Sequence, residues 1–443
     1  MSTAAMPEFP AGFRWGVSTS AYQIEGGVDE NGRGASIWDT FAHSPGRIAD
    51  GSTGDVACDH YHRHAEDVAL LAGLGVSAYR FSIAWPRVRP TGDGPVDPRG
   101  LDFYDRLVDD LLAHGVDPVA TLFHWDLPQA LEDAGGWLNR DTAHRFAEYA
   151  DATAARLGDR VKLWITLNEP FIHMSLGHGT GEHAPGRTLL FDAFPVAHHQ
   201  LLGHGLAVAA LRARTTSPVA IANNYSPVRA AGDGAADRAA AAAYEALHNR
   251  LFTDPLFGRG YPARLGFDTS AVHAGDLDVI AAPIDVLGVN YYNPTGVRAP
   301  REGSPLPFEF VPLDRYPRTA FDWPVAPDGL HELLGWLHRT YADDLPPIQI
   351  TESGCAYDDA PDADGRVHDP QRIAYLDGHL RAVRAAMAEG VDVTGYFVWS
   401  LLDNWEWAEG FTKRFGLVHV DFDTQLRTPK SSYAWLRDLI ARP

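Results

Sequence analysis

An eightfold alternation of short apolar runs and amphipathic stretches constrains this chain more than any other feature. Runs of β-branched and aromatic residues occupy 13–18, 76–82, 118–123, 162–167, 219–223, 286–290, 348–351 and 394–400. Each has strand length, and the near-continuous apolar character is that of strands buried on both faces of a parallel sheet. Helix-period stretches lie between them. In 101–114 the residues Leu101, Tyr104, Leu107, Val108, Leu111 and Leu112 recur three and four apart, which puts one apolar stripe along a helix. Segments 141–157, 196–213, 329–341 and 371–389 read similarly, the last starting after Asp369 and Pro370 and stopping at Gly390. Eight such alternations predict an α/β fold, a parallel (β/α)8 barrel, as a single domain over 1–443. The alternative is an open doubly wound sheet. No glycine-rich phosphate loop follows a strand, which weakens its nucleotide-binding form.

A chain of 443 residues exceeds a minimal barrel, so the surplus belongs in loops. Segments 27–59 and 298–324 are rich in Pro, Gly and Asp and follow the first and sixth strands. Loops of that length are functional or disordered, and here they are expected to wall a pocket. The alanine-rich stretch 230–243 reads as a solvent-facing helical excursion. A 45% hydrophobic content supplies a large core, and a formal charge of −21 opposes nucleic acid and anionic membranes as partners. The 2 cysteines make no disulfide framework. Residues 1–13 show no export leader, and no apolar run reaches the ~18 residues of a membrane span. The expectation is a soluble cytoplasmic protein; no heptad or apolar patch assigns an oligomeric state.

The residues just past each strand are chemically distinctive. In chain order the ends carry Gln23 and Glu25; Arg80 and Trp85; His124, Trp125 and Asp126; Asn168 and Glu169; Asn223 and Asn224. Then come Asn290, Tyr291 and Tyr292; Glu352; and Trp399 with Glu406 and Trp407 beyond it. The opposite ends are ordinary Gly, Asp and Pro turns. In a barrel the catalytic residues gather at one end. Glu169 and Glu352 each close a buried strand, where a carboxylate is costly unless the site uses it; the competing reading is a pair of salt-bridged barrel acids. Paired carboxylates suit glycosidic bond cleavage. Amides and imidazole bond hydroxyls, and indoles cover the C–H face of a sugar ring.

Long ordered motifs sharpen this reading. They include Tyr79-Arg-Phe-Ser-Ile-Ala-Trp-Pro-Arg87, Thr121-Leu-Phe-His-Trp-Asp-Leu-Pro128, Thr166-Leu-Asn-Glu-Pro170 and Trp399-Ser-Leu-Leu-Asp-Asn-Trp-Glu-Trp407. With them the chain resembles glycoside hydrolase family 1, specifically its β-glucosidases, from Phe9 to Ser432. The resemblance implies Glu169 as general acid/base and Glu352 as nucleophile, a pair ~5–5.5 Å apart in retaining enzymes. By the same likeness Arg80 holds Glu352 ionised, and Tyr292 orients it. The charge of Glu352 and partial burial would raise the pKa of Glu169. Gln23, His124, Asn168, Glu406 and Trp407 match the family's hydrogen-bonding groups around the non-reducing sugar. Trp399 resembles the stacking floor, Trp125 and Phe415 line the same pocket, and Asn290 falls on the nucleophile side. No cofactor is implied.

Differences from the family pattern bear on specificity. Members acting on 6-phosphorylated sugars have a small hydroxyl residue where Glu406 stands and a Lys-x-Tyr nearby; this chain has Lys413-Arg414-Phe415. A carboxylate would repel a phosphate, so an unphosphorylated sugar is expected. Phe171 replaces the family's frequent tryptophan on the leaving-group side, with Trp323 as a further aromatic wall, and the nucleophile motif runs Thr-Glu-Ser-Gly-Cys355. Cys355 is read as a packing thiol. His60, His62 and His64 have a spacing that could suit a metal, but no third carboxylate ligand is fixed, so no metal site is assigned. Asn224-Tyr225-Ser226 is taken as an accidental sequon. Three functions compete: a retaining exo-β-glucosidase acting on small β-glucosides and cello-oligosaccharides with β-galactosidase or β-fucosidase side activity, a transglycosylase using the same intermediate, and a catalytically silent sugar-binding protein.

Overall fold

The computed structural model describes residues 8–442; residues 1–7, the start of the stretch read for a leader, and residue 443 lie outside the described residues. Eight parallel strands close into a barrel: β1 (Arg14–Ser18), β2 (Ala78–Ser82), β3 (Asp117–Phe123), β4 (Leu163–Asn168), β5 (Val219–Asn224), β6 (Val286–Asn290), β7 (Ile348–Ser353) and β8 (Val393–Trp399). Each pairs with its neighbours in chain order, and β1 closes on β8. Every residue of β2, β4, β6 and β7 is buried, as expected for strands covered inside and out. The barrel interior is filled by Ala78, Val119, Leu163, Ile165, Ala220, Ala222, Val286 and Phe397. Mixing small side chains with one large ring fills the tapering interior. Gly16 on β1 makes room for that ring, because a Cβ there would lie 2.2 Å from Phe397.

Helices α1 (His60–Leu74), α2 (Pro98–Ala113), α3 (Asp141–Leu157), α4 (Phe194–Arg212), α5 (Ala235–Glu245), α6 (Pro327–Tyr341), α7 (Pro370–Ala388) and α8 (Ser431–Ile440) surround it. The prediction for α3 coincides with the observed helix, and the others shift by a few residues at their ends. α1 and α8 have no counterpart among the helices expected from periodicity; the first turn of α1 is His, Tyr, His and Arg and hides the buried Val68, Leu71 and Leu74 behind it. α5 differs from the solvent-facing excursion expected of its alanine run. Its Ala240 and Tyr244 are buried against Val297 and Phe308, beside a three-stranded sheet of Val228–Ala230, Thr295–Arg298 and Glu309–Val311. Both long loops carry structure over the carboxyl ends of the strands: segment 27–59 holds the short helix Ile37–Ala42, and 298–324 holds the strand Glu309–Val311. Lys430 binds Asp359 and Asp403, each at 2.8 Å, tying the entry of α8 to the loops after β7 and β8. Among the described residues no helix is long and apolar enough to cross a membrane.

Candidate active site

The parallel register delivers polar side chains to one end of the barrel. Asn224 pairs with Asn290, and Asn290 with Glu352; Ser18 pairs with both Arg80 and Trp399. The ladder slips between Ile165 and Asn168 and between Ile350 and Glu352, at the ends of the two strands that carry the glutamates. Such irregularities re-aim side chains. Three residues facing the resulting pocket, Trp125, Glu169 and Trp407, have φ of 76°, 44° and 48°, a left-handed conformation that costs a non-glycine residue about 1–2 kcal/mol. Strain of this kind concentrates at functional sites. At Gly354 a Cβ would lie 1.8 Å from the Trp399 carbonyl oxygen, so only glycine lets the chain leave β7 so close to β8.

The pocket is a cavity of about 380 Å³ into which both glutamates open. Their surroundings differ. Glu352 accepts from Arg80 Nη1 at 2.6 Å and from the Tyr292 hydroxyl at 2.7 Å. Arg80 is itself buried and held by Asn168 Oδ1 at 2.6 Å, Thr121 Oγ1 at 3.1 Å and the Thr351 carbonyl at 3.1 Å. Glu169 has neutral partners only: Oε1 accepts from Asn290 Nδ2 at 2.8 Å and from Asn224 Nδ2 at 3.0 Å. Burial, with the Glu352 charge second, pushes Glu169 up to about 8, against the pull of Asn290, Asn224 and the more remote Arg80. Burial also raises Glu352, and there Arg80, Tyr292 and Asn290 pull it back. A cation in contact favours the ionised form of a buried acid far more than amides do, so Glu169 is the carboxyl that keeps its proton.

The remaining predicted residues divide into a lining and a supporting layer. His124, Trp125, Tyr292, Trp323, Trp399, Glu406, Trp407 and Phe415 line the cavity. Trp399 stacks near His124 at 5.7 Å, Trp125 meets Trp407 at 4.7 Å, and Phe321 lies flat on Trp323 at 4.2 Å. Gln23 stands behind and donates to Glu406 Oε2 at 3.1 Å; burial pushes Glu406 up to about 8 against that bond. Asn168 donates to His124 Nε2 at 2.9 Å, which leaves the ring proton on Nδ1, and burial keeps that ring neutral. Asn290 bridges inward, accepting from the Thr351 hydroxyl at 2.6 Å. Phe171 is buried beneath His248, at 4.2 Å between ring centres, and the pocket surface there is His248.

Strand alternation separates neighbours that sequence alone presents together. Asn224 reaches Glu169, whereas Asn223 donates to the Phe252 carbonyl at 3.2 Å. Tyr292 reaches Glu352, whereas Tyr291 donates to the Ala326 carbonyl at 2.7 Å. Glu25 pairs with Arg87 at 2.6 Å, and Trp85 donates to Gly92 at 3.2 Å; neither lines the pocket. Asp126 points into a separate small cavity beside Glu25, Arg33 and Arg87. Neither of its oxygens has a hydrogen-bond partner among the described residues, and burial pushes it up to about 8. Cys355 is buried, its thiol pushed up to about 12 by that burial. His60, His62 and His64 turn to different acids, Asp67, Asp59 with Glu30, and Asp110. Asn224, named with Asn223 at a strand end but given no role, and His248, for which the sequence offered no signal, join the site.

A closed parallel barrel with two buried carboxyls and aromatic walls at the carboxyl ends of its strands is the architecture of a carbohydrate-cleaving enzyme. More specifically, this chain belongs to glycosyl hydrolase family 1, whose profile matches residues 5–443. It is similar to thermostable β-glucosidase B of Thermobispora bispora, with 51% identity over 98% of this chain and 91% of that protein. It is 46% identical to a bifunctional β-D-glucosidase/β-D-fucosidase of Bifidobacterium breve, over 98% of both chains. The solved structure of a Thermotoga maritima β-glucosidase in complex with glucoimidazole superposes with a TM-score of 0.94, at 44% identity over 98% of each chain.

Proposed function

We propose that the protein is a retaining exo-β-glucosidase that releases terminal β-D-glucosyl residues from small β-glucosides and cello-oligosaccharides in the cytoplasm, as a single barrel domain. The observation that carries the reading is the unequal setting of the two glutamates, one touching Arg80 and one touching only amides. Glu352 attacks the anomeric carbon as the glycosidic C–O bond breaks, and Glu169 passes its proton to the departing oxygen. Loss of the negative charge on Glu352 in the glycosyl-enzyme lowers the pKa of Glu169, which then takes a proton from water as that water displaces Glu352. Net retention results from two inversions.

Trp399 supplies the face for the sugar ring, and Gln23, His124, Asn168, Glu406 and Trp407 supply its polar contacts. Trp125 and Phe415 complete the walls. Glu406 and the absence of a tyrosine at Phe415 favour an unphosphorylated sugar; kinetic preference for a 6-phosphoglucoside would overturn that. The relative from Bifidobacterium breve supports testing the β-fucoside as a second substrate. A silent binding protein is the weaker reading, since both carboxyls and the Arg80 contact are in place. The test is hydrolysis of p-nitrophenyl β-D-glucoside monitored by proton NMR. β-Glucose forming first supports double displacement by Glu352 and Glu169, whereas α-glucose forming first would exclude it.

A further inference from the structure

A hydrogen-bond relay runs from the supporting layer to Glu169. Tyr244, on α5, places its hydroxyl 2.9 Å from His248 Nδ1. His248 Nε2 is 2.8 Å from Asn224 Oδ1, and Asn224 Nδ2 donates to Glu169 Oε1 at 3.0 Å. His248 stands in the π-helical turn Ala246–Arg250 that continues α5, a geometry frequent at functional sites. Its ring plane is set by Phe171, stacked at 4.2 Å and 29°.

With Asn224 Oδ1 facing His248 and Nδ2 facing Glu169, one arrangement of hydrogens satisfies every link. Burial holds His248 neutral, with one ring N–H. An N–H at Nε2 donates to Asn224 Oδ1, and the Tyr244 hydroxyl donates to Nδ1. These two bonds hold the Asn224 amide with its NH2 toward Glu169. Asn290, oriented by the Thr351 hydroxyl, supplies a second N–H to the same oxygen. Oε1 of Glu169 therefore faces two donors, while Oε2 has no hydrogen-bond partner among the described residues and opens to the cavity.

We propose that His248 is a positioning residue: through Asn224 it caps Oε1 with N–H donors, so that the transferable proton resides on Oε2, the oxygen open to the leaving group. This rests on reading Glu169 as the acid/base. The relay gives a role to two features that the sequence left unexplained, the alanine-rich helix and the phenylalanine at position 171.

The test compares kcat/KM for 2,4-dinitrophenyl β-glucoside, whose leaving group departs unprotonated, with kcat/KM for cellobiose, whose leaving group needs the proton. The ratio of the two does not depend on the fraction of enzyme that is folded. His248→Phe keeps the ring on Phe171 but loses both nitrogens, and should lower the cellobiose ratio by at least about tenfold, a part of the 10²–10⁴ that acid catalysis supplies. His248→Gln keeps an N–H near the Nε2 position and should recover most of it. Tyr244→Phe should shift the ratio the same way by a smaller factor. Equal losses on both substrates in His248→Phe, or no loss, would overturn the relay. Glu169→Gln separates the two readings: if it collapses the ratio while His248→Phe leaves it intact, only the relay fails. If Glu169→Gln also leaves the ratio intact, the acid/base assignment itself fails.

Discussion

Contact with a cation, rather than burial, distinguishes the two glutamates, since both are buried. Arg80 touches Glu352 at 2.6 Å, and Glu169 has Asn224 and Asn290 instead. Glu352→Ala should abolish turnover, and azide or formate should restore part of it by occupying the space of the lost carboxylate; the product should then be the α-glucosyl azide or formate. Glu169→Ala should spare 2,4-dinitrophenyl β-glucoside and lose about 10²–10⁴ on cellobiose, read as separate kcat/KM values. Cys355 lies three positions beyond Glu352, but its burial and high pKa remove the reactive thiolate. Activity should survive incubation of the native enzyme with iodoacetamide. At this scale the motif residues were legible, because each sits at the end of an apolar run. Asn224 was visible only as one of two asparagines, and which of the pair faced Glu169 was decided by pleat and register.

The strands and most helices are set by periodicity, and the misses have local causes. α1 was hidden by a polar first turn, and the buried face of α5, though not its helix, by an alanine run whose inward residues are few. The approach of β7 to β8 is tighter than sequence can express. Gly354→Ala would set a Cβ against the Trp399 carbonyl oxygen, forcing apart the strand ends that carry Glu352 and Trp399. The expected result is a destabilisation of about 1–3 kcal/mol, the usual range for overpacking, with kcat falling further than stability explains. Denaturant unfolding beside steady-state kinetics checks both. A fully active, equally stable variant would show that these strand ends yield.

Across the whole molecule, buried carboxyls tie stability to pH. Glu169, Glu406 and Asp126 are each pushed up to about 8 by burial, well above the values near 4 of an unfolded chain. Between those limits these carboxyls bind more protons in the folded state than in the unfolded state, so their part of the unfolding free energy declines as pH rises. Their stabilising contribution is complete below about pH 4 and is lost progressively toward pH 8. Buried histidines such as His173, His178, His204 and His379, whose pKa burial lowers, act in the opposite sense up to about pH 6.5, so the melting temperature should fall between about pH 7 and pH 8. Asp126→Asn, which removes a titrating group outside the catalytic pocket, should flatten that dependence in calorimetry. An unchanged slope would show that Asp126 is solvated in the folded protein.

By itself, the sequence determined the fold class, the pocket-forming end of the barrel and most of its chemically active residues. Those properties are written in local periodicity and in contiguous motifs. The tertiary structure decided which oxygen meets which donor. Arg80 and Glu352 are 272 positions apart, and Asn224 and Glu169 are 55 apart. Barrel closure brings each pair within hydrogen-bond reach, and no local pattern of residues encodes a distance that exists only after the sheet has closed.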